Sequence, residues 1–117
     1  MQFKFKKESS KEERIEKCKR LLLQNPDKVP IILEKDPSSK FEGNYIKRLI
    51  KKDFTVSKFH LLIKKLFKLP EEQALFFAAK GKYNITGEKT MGEIYTTYKD
   101  KEDGFLYIMY SSELVYG

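Results

Sequence analysis

The first apolar pattern along the chain has helical spacing. Ile15, Cys18 and Leu22 lie three or four positions apart, and most positions between them are charged, as in a helix that buries one face. Ser10, followed three residues later by Glu13, forms a capping box. The pattern therefore predicts a helix that begins after Ser10 and ends before the next Asn-Pro pair. The preceding FKFKK is either a short basic turn or a loose end, because so small and charged a stretch has little to bury.

Two strand patterns follow this helix. The β-branched run KVPIILEK predicts a strand over Lys28–Lys35. Pro30 cannot donate a ladder hydrogen bond, so we expect it at the start of the strand or where one side lacks a partner. After the turn-rich DPSSKFEGN, the segment YIKRLIK alternates apolar and basic residues. This alternation predicts a charged edge strand over Tyr45–Ile50.

The longest helical pattern of the chain comes next, in DFTVSKFHLLIKKLFKLP. Its apolar residues Val56, Phe59 and Ile63, followed by Leu66 or Phe67, have three-to-four spacing. The pattern stops before Pro70, which predicts a helix that ends there.

The remaining patterns are shorter. ALFFAAKGK predicts a buried strand that runs into a turn at Gly81, and Thr90 with Glu93 repeats the capping box at the start of a short helix. The continuous apolar run Gly104–Tyr110 predicts a final strand covered on both faces, with the opening strand as its neighbour.

This order of elements predicts an α+β fold of the ubiquitin-like β-grasp type. We expect a four-stranded mixed sheet with two helices on it, plus an added N-terminal helical segment. The chain, 1–117, then forms a single domain. Its parts are a helical extension over 1–26, a core over 28–110 and a C-terminal tail over 111–117.

The charge of the chain is unevenly distributed. The net charge is +7, but residues 1–68 hold 19 Lys and Arg against 9 Asp and Glu, whereas residues 69–117 hold 5 against 8. A basic half favours an acidic partner, which leaves nucleic acid, anionic lipid and acidic peptides open.

Residues that could carry catalysis are scarce. His60 is the only histidine and Cys18 the only cysteine, so we expect no internal disulfide, no metal site and no cofactor, and interpret both as ordinary helix residues. The sequence has neither a glycine-rich phosphate loop nor a serine nucleophile motif. It also has no apolar stretch near the ~20 residues of a membrane-spanning helix. We expect a soluble, cytosolic protein that is not an enzyme.

Five segments carry a family resemblance: NPDKVPIILEK, FTVSKFHLLIKK, ALFFAAKG, TMGEIY and DGFLYIMYSSELVYG. In this order and at these separations they closely resemble the autophagy ubiquitin-like modifiers, the family of the GABA-A receptor-associated protein and the microtubule-associated light chains. The resemblance covers essentially the whole chain, including the N-terminal helix that ubiquitin lacks.

The resemblance implies a role for Gly117, which is otherwise only a chain end. In the family, activating and conjugating enzymes join the carboxylate of this glycine to the amine of phosphatidylethanolamine. A cysteine protease removes any residues that follow it and also reverses the conjugation. No residue follows Gly117 in the sequence, so we expect the chain to be either encoded ready for activation or already processed.

The resemblance also implies a groove for peptides with an acidic flank and an aromatic-x-x-aliphatic motif, carried by autophagy receptors. Matched by position, the pocket for the aromatic residue is lined by Leu21, Pro30, Ile32, Lys47, Leu49 and Phe105. The pocket for the aliphatic residue is lined by Ile50, Phe54, Phe59 and Leu62. Lys28, Lys47 and Arg48 meet the acidic flank. The apolar members alternatively belong to the core, and the basic ones alternatively only protect an edge.

The chain departs from the family pattern at several positions. Tyr45, Arg48, Lys51 and Leu66 differ from the residues usual there, Lys17 stands at an often acidic position, and Ala78 replaces a common phenylalanine near the surface used for conjugation. The resemblance implies a monomer that is cytoplasmic when unconjugated and bound to autophagosomal membranes when lipidated, with no nucleic-acid partner. Two other functions stay open from the residues alone. One is a basic nucleic-acid-binding module, and the other is a ubiquitin-like interaction domain that is never conjugated.

Overall fold

The computed structural model describes residues 3–39 and 45–113, and these form four helices and five strands. In chain order they are α1 (Lys4–Glu8), α2 (Lys11–Gln24), β1 (Lys28–Lys35), β2 (Ile46–Lys51), α3 (Val56–Leu66), β3 (Phe76–Ala79), β4 (Tyr83–Ile85), α4 (Met91–Tyr98) and β5 (Leu106–Ser111). The strands form one mixed sheet in the order β2-β1-β5-β3-β4. This is the predicted ubiquitin-like β-grasp with an N-terminal helical segment, except that the sheet has five strands and not four.

The additional strand is β4, which the sequence pattern did not reveal. The turn at Gly81 was predicted correctly: Lys80 and Gly81 have φ of 58° and 72°, and the chain returns antiparallel to β3. However, β4 has only three residues, of which Ile85 alone is buried. So short a strand shows no apolar period.

The final strand lies where its continuous apolar run predicted. All six residues of β5 are buried, and β5 pairs in parallel with β1 and antiparallel with β3. The pairing of β1 with β5 begins at Ile31. Pro30 therefore lies where the β5 side of β1 has no paired residue, as expected for a residue without an N–H group.

Two apolar layers cover the two faces of the sheet. Alternate residues of β1 belong to different layers, because successive side chains of a strand point to opposite faces. We call the first the α3 layer; its buried members include Val29, Ile31, Leu33, Ile50, Val56, Phe59, Ile63, Leu106 and Ile108. We call the second the N-terminal layer; its buried members are Phe3, Phe5, Cys18, Ile32, Phe105, Tyr107 and Met109.

Phe3 and Phe5, in the charged segment before α2, are more deeply buried than the charge of that segment suggested. The expectation that FKFKK has little to bury is wrong, because Phe3 and Phe5 are only 5% and 4% exposed. The buried carboxylate of Glu34 accepts hydrogen bonds from the Lys4 and Phe5 amides at 2.8 and 3.0 Å. Glu34 therefore satisfies two of the free N–H groups at the start of α1.

A buried ionic network holds α2 against the loop before β5. The Arg14 guanidinium donates to the Asp103 carboxylate at 2.9 Å, and the Tyr107 hydroxyl donates to the same carboxylate at 2.6 Å. Arg14 also donates to the carbonyl oxygens of Lys6 and Ser9 at 3.1 and 2.6 Å. Arg14 thus joins the N-terminal segment, α2 and the sheet in one contact set.

Candidate functional site

The predicted edge strand is the outermost strand of the sheet. β2 pairs with β1 on one side, and the sheet order places no described strand on its other side. Lys47, Arg48 and Lys51 are exposed along it. An edge of this kind has backbone N–H and C=O groups available to an added strand, and its charged residues oppose uncontrolled pairing.

The register of β2 assigns the predicted pocket residues to opposite faces. Lys47 lies opposite Ile32, and Leu49 lies opposite Pro30. Ile32 belongs to the N-terminal layer, as does Phe105, and the half-buried Leu21 packs against that layer. The six residues predicted for the aromatic pocket therefore share one face of the sheet.

The residues predicted for the aliphatic pocket lie on the other face. Ile50 is opposite Val29, and both belong to the α3 layer with Phe59. Phe54 and Leu62 are half-buried and pack against this layer. Phe59 has no exposed surface, so it supports the wall of this region from below, whereas Phe54 and Leu62 offer the surface.

Sequence reasoning missed Phe5, which lies inside the predicted aromatic pocket. Its ring packs edge-on against Phe105 with 5.2 Å between centroids, and the Lys47 ammonium lies 5.6 Å from the centroid of the Phe5 ring. Tyr45 contacts the same ring at 5.9 Å. The sequence does show two phenylalanines, Phe3 and Phe5, at alternate positions of a charged segment. The burial of Phe5, however, depends on Phe105 and Tyr45, which are distant in sequence.

The charged residues of the groove separate in the same way. Lys47 and Arg48 were predicted to act together, but adjacent strand residues point to opposite faces. Arg48 lies opposite Ile31 of the α3 layer, whereas Lys47 shares the face of Ile32. Lys28 lies at the end of the groove, opposite Lys51.

Positive charge accumulates beside the aromatic pocket. The pKa of Lys17 is below its ordinary value, chiefly because of the neighbouring Lys47 side chain, with burial and the charge of Arg20 adding to the effect and the charge of Glu13 opposing it. Lys17, Arg20 and Phe5 line a depression of about 290 Å³ on this side. Two ammonium groups that face each other favour an anionic ligand between or beside them.

The two residues considered for catalysis have structural contacts. Cys18 is 2% exposed, and burial, with the nearby Asp103 charge, raises the pKa of its thiol to about 11. The Nε2 atom of His60 lies 2.9 Å from the Leu75 carbonyl oxygen, and its ring contacts Phe77 edge-on at 5.7 Å. Residues 3–39 and 45–113 contain no group of three His, Cys, Asp or Glu side chains that could hold a metal ion.

The predicted conjugation residue Gly117 lies outside the described residues, as does the tail beyond Glu113. Within the part of the chain that the structure describes, no helix has the length and apolar character needed to cross a bilayer.

Comparison with known proteins gives a family for this fold and groove. The family model described as "Autophagy protein Atg8 ubiquitin like" matches residues 13–117. The crystal structure of Trypanosoma brucei ATG8 superposes with a TM-score of 0.87 at 34% sequence identity, over 95% of each chain. The family match and this structural likeness confirm the resemblance seen in the sequence, and the chain belongs to the Atg8 family of ubiquitin-like autophagy proteins.

Proposed function

We propose that this chain is a modifier joined through Gly117 to phosphatidylethanolamine, and that on the membrane it recruits autophagy receptors through the β2 groove. The observation that carries the second part is the register of β2. It sets Lys47 and Leu49 on one face and Ile50 on the other, beside an edge with no described strand neighbour. A single extended peptide along this edge would therefore reach two separate apolar regions.

The peptide adds to β2 as a further strand. Its backbone hydrogen bonds supply affinity that does not depend on sequence, and its two anchor side chains supply selectivity. An aromatic anchor fits the face lined by Leu21, Leu49 and Lys47, next to Phe5. An aliphatic anchor fits the face where Phe54 and Leu62 are half-exposed. Because side chains alternate across a strand, the two anchors must enter on opposite sides of β2.

The acidic flank of the peptide binds the cationic side of the aromatic pocket. Lys17 and Lys47 face each other there with Arg20 close by, so a carboxylate placed among them relieves the repulsion between the ammonium groups. These charges lie at the surface, and they therefore contribute more to association rate and specificity than to affinity.

Conjugation uses the C-terminal carboxylate. ATP adenylates the carboxylate of Gly117 with release of pyrophosphate, and a cysteine thiolate of the activating enzyme displaces AMP to form a thioester. The acyl group passes to a cysteine of the conjugating enzyme, and the lipid amine then displaces that thiol to form an amide. Glycine suits these steps because, without a side chain, it enters a narrow site extended and leaves its carbonyl unhindered.

Before conjugation the chain is a cytoplasmic monomer without a cofactor or catalytic activity of its own, and after conjugation it resides on autophagosomal membranes. Its partners are the activating and conjugating enzymes, a processing and deconjugating cysteine protease, and receptors that carry the aromatic-x-x-aliphatic motif. The domain comprises a core over 28–110, an extension over 1–26 and a tail over 111–117 that reaches the enzymes.

Reconstitution tests the conjugation. The chain is incubated with the two enzymes, ATP and phosphatidylethanolamine liposomes, and mass spectrometry should detect one lipid adduct at Gly117. The chain without Gly117 should form none, while its thermal unfolding stays the same because a terminal residue buries little. Adduct from neither chain would leave the β-grasp as an interaction domain that is not conjugated, and equal adduct from both chains would show that Gly117 is not the conjugated residue.

Calorimetry tests the groove with an acidic peptide that carries a Trp-x-x-Leu motif. Replacing Trp by Ala in the peptide should cost about 2 kcal/mol or more, as for a buried anchor. Lys47→Ala in the protein should cost about 1 kcal/mol or less, and this loss should shrink as salt is raised. Lys65→Ala removes an exposed lysine of α3 and serves as the matched control. The groove proposal fails if the Ala peptide binds as tightly as the original.

A further inference from the structure

A second concave site lies on the far side of the N-terminal layer from the β2 groove. It encloses about 480 Å³, within the roughly 300–1,000 Å³ of small-ligand sites. Four lysines line it, two from the β3–β4 turn, one from α1 and one from the turn before β5: Lys6, Lys80, Lys82 and Lys101. We call this site the lysine pocket.

Three of these lysines are not neutralised by an acidic partner within the described residues. Lys80, Lys82 and Lys101 form no ion pair with any residue in 3–39 or 45–113. The acidic residues of the lining are already paired, Asp100 with Lys6 and Glu102 with Arg14. The pocket thus presents three cations that its own carboxylates do not neutralise.

The location of this charge is unexpected from the composition. Residues 69–117 are acidic overall, with 5 lysines against 8 Asp and Glu, yet three of those five lysines line this one pocket. Like charges gathered on adjacent turns repel one another, so the arrangement costs free energy when the pocket holds no anion.

The floor of the pocket is aromatic and fixed. Phe3 and Tyr107 are 5% and 2% exposed, and their ring centroids lie 4.9 Å apart. The Lys6 ammonium lies 4.9 Å from the centroid of the Tyr107 ring, and the Tyr107 hydroxyl is bonded to Asp103. The floor is therefore apolar and held in place. The charged groups of a ligand have to contact the lysines on the rim.

The rim is also held in place by backbone contacts. The Lys80 amide donates to the Tyr107 carbonyl at 2.7 Å, which ties the β3–β4 turn to β5. Lys80 has a φ of 58°, in the left-handed region that residues with a side chain rarely adopt. On the other side, the Asp100 carboxylate accepts from the Glu102 and Asp103 amides at 2.8 and 3.1 Å, and so fixes the turn that carries Lys101.

We propose that the lysine pocket binds a phosphate-bearing ligand. A phosphate group with its terminal oxygens exposed presents three acceptor oxygens and about two negative charges, which matches three separate ammonium donors better than a flat, singly charged carboxylate does. Lysine binds phosphate as a point charge and does not require bidentate geometry.

The lysine pocket lies beside the start of β5, where the Lys80 amide donates to the Tyr107 carbonyl. The ammonium groups there recognise a phosphate whether it belongs to a soluble molecule or to a lipid headgroup.

Two probes distinguish these sources: tripolyphosphate in solution, and phosphatidylcholine vesicles with and without phosphatidic acid. Each is titrated into the full chain, with amide chemical shifts observed by NMR for tripolyphosphate and co-sedimentation for vesicles. We expect saturable binding of tripolyphosphate, with the largest shifts at Lys80, Lys82 and Tyr107. Vesicle binding that requires phosphatidic acid would assign the phosphate to a headgroup, and binding of tripolyphosphate alone would assign it to a soluble ligand.

A matched pair of double variants separates a site from general charge attraction. Lys80→Gln with Lys82→Gln should weaken binding about tenfold or more, because two charge-assisted contacts are lost. Lys65→Gln with Lys89→Gln removes the same charge from exposed residues elsewhere and should weaken binding by less than about threefold. Equal weakening by both pairs, or no saturable binding of either probe, would overturn the proposal. Peptide binding in the β2 groove should be the same in the unmodified chain and in both double variants.

Discussion

The two faces of the sheet are held by different physical means. The α3 layer has 16 buried apolar members among the described residues, mostly aliphatic, and its stability comes from burial of apolar area. The N-terminal layer has seven, four of them aromatic, and it contains the Arg14–Asp103 pair with an Arg14 side chain only 6% exposed and no exposed surface on Asp103. A layer with buried charges depends on each partner of its network, because removal of one partner leaves the other as a buried, unpaired charge.

Because of this difference, the two sides of the peptide groove should differ in how readily they open. β1 carries residues of both layers, and β2 places Ile50 in the α3 layer and Leu49 on the opposite face. The aliphatic side of the groove is therefore supported by the larger layer and the aromatic side by the smaller one. Regions with few buried apolar contacts open at lower free energy than the core. The N-terminal layer, including Phe5 in the aromatic pocket, is thus expected to open without unfolding the α3 layer.

The largest effect should come from a cavity in the α3 layer. Phe59→Ala removes a fully buried ring that packs on Phe77 with 4.9 Å between centroids, and should lower the free energy of unfolding by about 4 kcal/mol. Denaturant unfolding measures it. Leu61→Ala, on the same helix but 66% exposed, is the control and should change stability by less than about 0.5 kcal/mol. Similar losses from both variants would contradict the assignment of Phe59 to the core.

The next effect should come from the ionic network of the N-terminal layer. Arg14→Gln leaves Asp103 buried with its hydrogen bonds from Tyr107 and the Phe105 amide, at 2.6 and 2.9 Å, but without its counter-charge. The cost should be about 3 kcal/mol. Native-state hydrogen exchange should show it mainly as lost protection of α2 amides, with those of α3 retained.

The control for this variant is the outer partner of Arg14. Glu102 contacts Arg14 at 3.3 Å and is 50% exposed, so Glu102→Gln should cost less than about 1 kcal/mol. Equal loss of protection in α2 and α3 after Arg14→Gln would mean that the two layers unfold together.

Cys18 allows a chemical test of the same independence. Its thiol lies in the N-terminal layer, and its raised pKa of about 11 makes it unreactive while buried. Arg14→Gln should accelerate alkylation of Cys18 about 150-fold, equivalent to about 3 kcal/mol of easier opening. Asp103, which raises the thiol pKa, remains in place, so the acceleration reports opening and not acidity.

Phe59→Ala should leave the alkylation rate within about twofold, provided that Cys18 is reached through local opening. Quenched time courses with mass spectrometry measure both variants. An acceleration by Phe59→Ala that exceeds the one by Arg14→Gln would show that Cys18 is reached only through global unfolding.

The sequence predicted those structural features whose physical causes lie within a short stretch of the chain. The capping box of Ser10 and Glu13 formed as predicted, with the Ser10 hydroxyl accepting from the Glu13 amide at 3.2 Å, because all of its atoms lie within one turn. The apolar run of β5 likewise predicted a central strand, since burial on both faces leaves no room for polar positions.

The features that were missed arise from contacts between distant segments. Phe3 and Phe5 are buried by Tyr107 and Phe105, about a hundred positions away, so no local window contains the reason. The opposite orientation of Lys47 and Arg48 was available from strand alternation but was not applied to the charged residues. The pockets themselves were placed by family resemblance, and their residues stay predictions until a ligand is bound.

The smallest effect concerns acid and the Lys6–Asp100 pair at the edge of the N-terminal layer. Burial raises the pKa of Asp100, but the hydrogen bond from Lys6 and those from the Asp103 and Glu102 amides outweigh it, so the pKa lies below its ordinary 3.8. A carboxylate with a lowered pKa in the folded state stabilises that state above the unfolded pKa and loses this contribution as pH falls through the folded value. Asp100→Asn should therefore lower the free energy of unfolding by about 1 kcal/mol at neutral pH, since the pair is partly exposed. The difference from the unmodified chain should vanish well below pH 4.

Urea unfolding at a series of pH values measures this difference. Glu72→Gln, at an exposed position, is the control and should follow the unmodified chain throughout. A difference that persists unchanged into strong acid would show that Asn disturbs the turn before β5, and that the charge of Asp100 is not what stabilises it.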